Sequence, residues 1–332
     1  MKRSGRRIIT IILVLLLLLT AAVLGGAMIY RSVLADYFSN SEPVCSVPDI
    51  SSGFIPQGLA YDPGSGSLFI SGYMDNFSQS PMYVIGLESD SVPRKVNMLT
   101  ESGDSFRGHS GGISVYDGKV FVAGSTKACV YSVSTSVLLN AADGGDLSAR
   151  NRISLKNDED YIRASFTSVD ENSLYIGEFH KSPIFYTHRS HLVEQDGVRQ
   201  KAYLAGFRID DDMQAVPVCV YSIPDNVQGA CFSDGYVYLS RSHGFLPADI
   251  LSYDLSEVKQ AGTKSVLGKE VPLYVLAESN ASKITKIPPM SEEIIVVDGR
   301  MLILYEAASN RYVIGKSLGL DKVYATPVEY FK

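Results

Sequence analysis

Tryptophan is absent from this chain, cysteine occurs four times and histidine five times in 332 residues. No cluster of lysine and arginine follows the first seven residues, and 36 acidic residues stand against 30 basic ones, interspersed throughout. Nucleic-acid binding needs a basic patch or stripe, so that class is excluded. Long helical periodicity is missing after residue 30. The apolar runs there are short and bounded by Gly, Pro, Asp and Ser, as strands are. A helical bundle is therefore excluded as well. With no tryptophan, the 20 tyrosines carry much of the aromatic packing. Tyr61, Tyr83, Tyr116, Tyr131, Tyr175, Tyr221, Tyr238 and Tyr253 fall at strand positions, where aromatics suit a pleated, half-buried surface.

What is present is a repeat. Gly58-Leu-Ala-Tyr-Asp62, Gly112-Ile-Ser-Val-Tyr-Asp117, Ser165-Phe-Thr-Ser-Val-Asp170, Gly229-Ala-Cys-Phe-Ser-Asp234 and Glu293-Ile-Ile-Val-Val-Asp298 each precede a tight turn and a second apolar strand. Self-similarity at a regular spacing marks a repeat architecture. Three of the turns are Asp-Gly, at 117–118, 234–235 and 298–299, and Gly tolerates the positive φ of a type I′ hairpin turn. A four-stranded antiparallel unit repeated radially is a β-propeller blade. The fold class is all-β, a five-bladed propeller over residues 45–332. Six blades follow instead if residues 134–160 hide a degenerate unit. The last unit lacks one strand, and Pro43-Val-Cys-Ser-Val47 has no unit of its own. Placing that segment as the outer strand of unit five closes the ring and removes two exposed edges. The outer strand of unit four is expected near 273–277, after an insertion at 257–270.

The four cysteines divide among separate strands: Cys231 in an inner strand, Cys45, Cys129 and Cys219 in outer ones. A disulfide needs Cα atoms within about 7 Å, so four free thiols are expected.

The N-terminus is of another kind. Lys2, Arg3, Arg6 and Arg7 precede an uncharged apolar run from Ile8 to Tyr30. About 20 such residues span a bilayer core as a helix. Flanking cations stay on the cytoplasmic side. The expected organisation is a cytoplasmic basic segment (1–7), a transmembrane signal-anchor (8–30), a linker (31–44) and an extracytoplasmic propeller on the cell membrane. A cleaved signal peptide, which would leave the propeller secreted, is the alternative, with Gly25-Gly-Ala27 as a poor cleavage site. Asn76-Phe-Ser78 and Asn280-Ala-Ser282 are glycosylation sequons.

Binding residues tend to sit on loops held by a rigid scaffold. In this repeat the loops before each inner strand and after each second strand open on one face. The first set gives Gln57, His109, Arg163, Gln228 and Glu292. The second gives Tyr73 and Asp75, Glu178 and His180, Arg241 and His243, and Glu306. A small molecule or a protein is the expected ligand of this mouth, with Gln57, His109, Arg163, His180, Gln228, Arg241 and His243 as contacts. Glu178, Glu292 and Glu306 are candidate ligands for Ca²⁺, a hard cation that prefers oxygen donors. Pairing of these glutamates with Arg163 and Arg241 is the competing explanation. His180, His188 and His191 lie in or beside a polar insertion at 181–200, but no third ligand for zinc is set by their spacing. That insertion is an ordinary variable loop or a lid over the mouth. Gly108-His-Ser-Gly-Gly112 matches the pattern of a nucleophile elbow. The elbow needs a strand before the serine and a helix after it, whereas a polar stretch precedes Ser110 and a hairpin follows.

The stretch Gln57-Gly-Leu-Ala-Tyr-Asp followed by Leu68-Phe-Ile-Ser-Gly72 resembles the gluconolactonase, strictosidine-synthase and NHL-type propellers. The resemblance is to the hairpin pattern across residues 45–332. It implies a propeller and an axial metal held by Glu, Asn and Asp. It also implies a metal-dependent hydrolase, such as a lactonase or phosphoesterase, as the alternative to a binding protein. Six blades are common in that group, and this chain has no evident axial Asn set.

Overall fold

The Asp-Gly pairs turn the chain as their backbone freedom allows. Asp117, Asp234 and Asp298 take φ of 47°, 51° and 49°, and the following Gly118, Gly235 and Gly299 take 65°, 76° and 73°. These are the two successive positive values that a type I′ turn requires. In this computed structural model, residues 2–88, 91–125, 127–148, 151–210, 212–312 and 314–332 are described, apart from the side chains of 2–8, 19 and 22–24.

Five antiparallel sheets result. Blade one holds Phe54–Asp62, Ser67–Met74, Pro81–Gly86 and Arg94–Leu99. Blade two holds Ser110–Tyr116, Lys119–Gly124, Cys129–Ser134 and Asn151–Ser154. Blade three holds Ala164–Asp170, Ser173–Glu178, Ala202–Ile209 and Ala215–Ile223. Blade four holds Val227–Ser233, Tyr236–Arg241, Ala248–Asp254 and Lys283–Ile287. Blade five holds Ser291–Val297, Arg300–Tyr305 and Lys322–Pro327, and its outer strand is Glu42–Ser46 from the start of the chain. Cys45 pairs with Val323 and Ser46 with Lys322, so the ring closes as the missing strand requires.

Residues 134–160 form no sixth blade. They give a short helix (Thr135–Asn140), a strand (Asp146–Ser148) that pairs parallel to Arg94–Leu99 at the edge of blade one, and the outer strand of blade two. The reading of residues 273–277 as the outer strand of unit four is corrected too. The hairpin Gln260–Val266 and Lys269–Val275 crosses to blade three, where Leu273 pairs parallel with Val220. A hairpin that covers the edge of a neighbouring blade protects a row of otherwise free backbone groups.

The core lies between blades. Tyr131, Tyr203, Tyr238, Tyr253 and Tyr305 are fully buried, with Phe54, Phe69, Phe121, Phe166 and Phe207. Each such ring stabilises the fold by about 1.5–3 kcal/mol relative to an exposed one. All four cysteines are free.

Ahead of the propeller, helix α1 (Lys2–Val33) leads into helix α2 (Ala35–Asn40). Hydrogen bonds from Leu34 N to Tyr30 O and from Phe38 N to Leu34 O, both 3.1 Å, carry the helical direction across the join. The segment expected as a linker is thus helical for much of its length. Leu34 and Tyr37 are buried against blade five, in one cluster with Tyr305, Leu320 and Phe331. Residues 9–18 of α1 are solvent-exposed throughout. Among the described residues no helix is long and apolar enough to cross a membrane. The side chains of Lys2, Arg3, Arg6 and Arg7 lie outside the described residues.

Candidate functional site

Inner strands begin, and second strands end, at one end of the ring. That geometry gathers residues far apart in sequence around a cavity of about 340 Å³. Its lining includes Gln57, His109, Arg163, Gln228, His243, Glu292 and Glu306 from the expected set. Tyr73, also expected at the mouth, joins them, and Ser125, Ser165, Phe179, Phe185, Ser242, Gly244, Met290, Arg311 and Tyr312 complete it. Phe185 shows that the blade-three insertion, with the preceding Phe179, forms one wall.

Glu292 and Glu306 meet at the polar side of this cavity. Burial raises the pKa of both, to about 7 for Glu306 and well above the ordinary carboxyl range for Glu292. Proximity of Glu306 raises Glu292 further, and a hydrogen bond joins the two carboxyls. Two carboxyl groups this close favour one shared proton over two full charges. Gln57 Nε2 donates to Glu306 Oε2 at 3.3 Å, and Gln228 Nε2 donates to Glu292 Oε1 at 3.1 Å. Arg311 donates from Nη1 to the Tyr73 hydroxyl at 2.6 Å, and its charge also stabilises the Glu306 carboxylate. The Tyr73 ring lies against His109, with centroids 3.8 Å apart. Burial, then the charges of Arg311 and Arg163, lower His109 to about 4, so its ring is neutral at pH 7. Arg163 Nη1 donates to Tyr186 O at 3.2 Å, tying the insertion to the mouth.

Three expected residues go elsewhere. Glu178 is fully buried outside the cavity. It accepts from Arg163 N at 2.9 Å and Tyr203 N at 3.2 Å, and its Oε2 lies 2.7 Å from His191 Nδ1. The metal trio therefore separates, with only Glu292 and Glu306 together. His180 is buried, with Nδ1 3.2 Å from Thr187 Oγ1. Arg241 pairs with Asp249 Oδ2 at 2.7 Å and with Glu278, beside a second, more open hollow of about 620 Å³ that His243 also borders. Arg241 is thus paired, but with Asp249 and Glu278 and not with the glutamates that the competing explanation assigned to it.

His188 and His191 do come together, with Asp160 rather than His180. His191 Nε2 lies 3.0 Å and His188 Nδ1 3.2 Å from Asp160 Oδ1. His191 is already held on both ring nitrogens by carboxylates, a satisfied buried network. Ser110 opens an inner strand and no helix follows it. Its hydroxyl is buried and makes no hydrogen bond, so the elbow is absent. A further carboxylate, Glu293, lies on the axis. A Cβ at Gly112 would fall 2.0 Å from its Oε2, and one at Gly229 would fall 2.8 Å from its Oε1.

Arg311 and Tyr312 carried no signal in the repeat, because they lie in a long loop unique to blade five. Phe185 sits in the polar insertion and was equally hidden.

The Glu292–Glu306 pair fits one hard cation in part. Two carboxylates supply oxygens, and Gln57 and Gln228 would supply two more with their amides turned. Calcium takes six to eight oxygens, some of them from water.

No family model matches the chain, and no curated protein gives a significant match. Solved structures similar to it match at low identity. A luciferin-regenerating enzyme is 13% identical over 86% of this chain and 95% of its own, with a TM-score of 0.45. The PQQ-bound aldose sugar dehydrogenase of Streptomyces coelicolor is 12% identical over 86% and 96%, with a TM-score of 0.46. The glutaminyl cyclase of Myxococcus xanthus is 12% identical over 79% and 90%, with a TM-score of 0.41. The resemblance to gluconolactonase-type propellers is one of fold.

Proposed function

We propose that this chain is a membrane-anchored, extracytoplasmic propeller that binds a small ligand in its axial mouth. The observation that carries the reading is the cavity itself: aromatic walls from blades one, three and five around a buried, proton-sharing carboxyl pair with Arg311 beside it. A mostly apolar pocket with a few convergent polar groups of shifted pKa is the usual form of a ligand site. Anchoring is supported by the exposed apolar side chains of residues 9–18 and by the uncharged run from Ile8 to Tyr30. Native mass spectrometry of the full chain, extracted from its membrane, tests the binding. A small molecule retained by the wild type and lost from Arg311→Ala and Glu306→Gln is the expected result. No retained molecule in any form would defeat the reading. Protease added to intact cells tests the topology and should digest the propeller.

The carboxyl pair favours a second reading, a calcium-dependent hydrolase. Glu292 and Glu306, with Gln57 and Gln228, would hold the ion, which would polarise a carbonyl or phosphoryl oxygen as a Lewis acid. Calcium should then raise the unfolding temperature of the wild type and leave Glu306→Gln unchanged.

A further inference from the structure

Helix α1 joins the propeller at the mouth end. Glu306 follows the second strand of blade five and faces the cavity, so the loop from 306 to 321 lies at that end. Arg31 Nη2 donates to Leu318 O in this loop, at 3.4 Å. Ten residues later, Ser41 Oγ lies 2.7 Å from Thr326 Oγ1, well down the outer strands. The chain thus descends along blade five from its mouth end, and α1 runs off the molecule on the mouth side.

The exposed apolar side chains are distributed unevenly. Outside α1, most of the large ones among the described residues rise from loops at the mouth end: Phe77 of blade one, Ile184 and Tyr186 of blade three, Phe245 and Leu246 of blade four, and Ile314 of blade five. Leu246 is 75% and Phe77 70% exposed. Away from the mouth lie Leu87 and Val92, both from one loop of blade one, and Ile284 on the outer strand of blade four. Single exposed apolar residues need no explanation, but a ring of them around one opening does. Aromatic and aliphatic tips carried on loops suit the boundary between headgroups and acyl chains.

We propose that the mouth face rests on the bilayer that α1 enters, with the apolar loop tips seated in the lipid interface. The cavity then opens onto the headgroup layer, and its ligand is an amphiphile taken from the membrane rather than a solute from the bulk. This rests on the anchored reading above.

The absence of tryptophan makes the test clean, because one introduced Trp is the only indole emitter. Full chains carrying Leu246→Trp, Ile184→Trp or, as the control, Val92→Trp are reconstituted into phosphatidylcholine–phosphatidylglycerol vesicles, with and without brominated acyl chains. All three sites are exposed, so each variant is expected to fold. Emission at 246 and 184 should be roughly halved by the brominated lipid, whose acyl boundary such tips reach, while emission at 92 should hold. Equal, weak quenching at all three in chains that float with the vesicles would overturn the proposal and leave the anchor standing. A blue shift at 246 without quenching by bromine would mean that a protein covers this face, and would overturn it too. Chains that do not float would remove the anchored reading and the proposal together.

Discussion

Glu178 Oε2 lies 2.7 Å from Nδ1 of His191, and both side chains are fully buried. The opposite ring nitrogen is 3.0 Å from Asp160, so one imidazolium is clamped between two carboxylates. Burial by itself would lower the pKa of His191. Glu178 and Asp160 outweigh it and raise the group to about 9. The clamp ties the insertion, which carries His191, to the second strand of blade three.

Removing one member of a buried pair leaves the others uncompensated, at a cost of about 3–5 kcal/mol. His191→Ala should therefore destabilise the propeller by that order in chemical denaturation. A loss near zero would mean that the clamp is energetically idle.

The same clamp sets a pH dependence. The folded pKa of His191 lies above the unfolded value of about 6.5, so its contribution is complete below pH 6.5 and is lost as pH rises towards 9. On the acid side, burial would raise Asp160, but His191 and the backbone amides of Leu267 and Tyr161 hold it down at about 2. Its contribution falls away as pH drops from about 4 towards 2. Hydrogen exchange in residues 188–203 should quicken between pH 6.5 and 9 beyond the intrinsic rate change, and that excess should vanish in His191→Ala.

Glu306 behaves in the same sense as His191 and in the opposite sense to Asp160. Its folded pKa, raised to about 7 by burial, means that the native state holds a proton which the unfolded chain has released by about pH 4.3. Stability should fall as pH rises from about 4.3 to 7. Glu306→Gln should flatten that slope and stabilise the protein at pH 8 by about 1–3 kcal/mol. Identical pH profiles for the two proteins would place the titration elsewhere.

Axial crowding gives a further test. A Cβ at Gly229 would stand 2.7 Å from Glu293 Cα and 2.9 Å from Glu292 O. These are backbone atoms of the next blade and have nowhere to go. Overpacking of a tight core costs about 1–3 kcal/mol, occasionally more. Gly229→Ala should cost at least that, whereas Gly235→Ala, with open space around its Cβ, should suffer only the backbone strain of its positive φ.

Closure of the ring can be tested without shortening the chain. Proline cannot donate to a strand ladder. Val44→Pro combined with Cys45→Pro should detach Glu42–Ser46 and expose the strand Lys322–Pro327. Thermal unfolding should drop for the whole propeller in one transition. An unchanged midpoint would show that the closing strand adds nothing to the ring.

The sequence by itself determined the five repeat units, because each Asp-turn-apolar unit is a local signal, a positive-φ turn flanked by two apolar strands; that residues 134–160 add no sixth blade was decided by the tertiary structure. It also determined closure, since a unit one strand short and a strand without a unit answer each other. Gln57, His109, Arg163, Gln228, His243, Glu292 and Glu306 were legible for the same reason, as equivalent positions of one repeat. Tertiary structure decided the rest. The hairpin at 260–275 chose the edge of blade three over its own blade, a choice made by which edge stood open. Glu178 occupies the same repeat position as Glu306 yet turns away from the mouth, because the insertion brings His191 to it from outside the repeat. Arg311, Tyr312 and Phe185 reach the cavity from long loops whose path has no local code. Repetition fixes where the backbone goes, and the side chains of a site depend on which unequal loops meet above it.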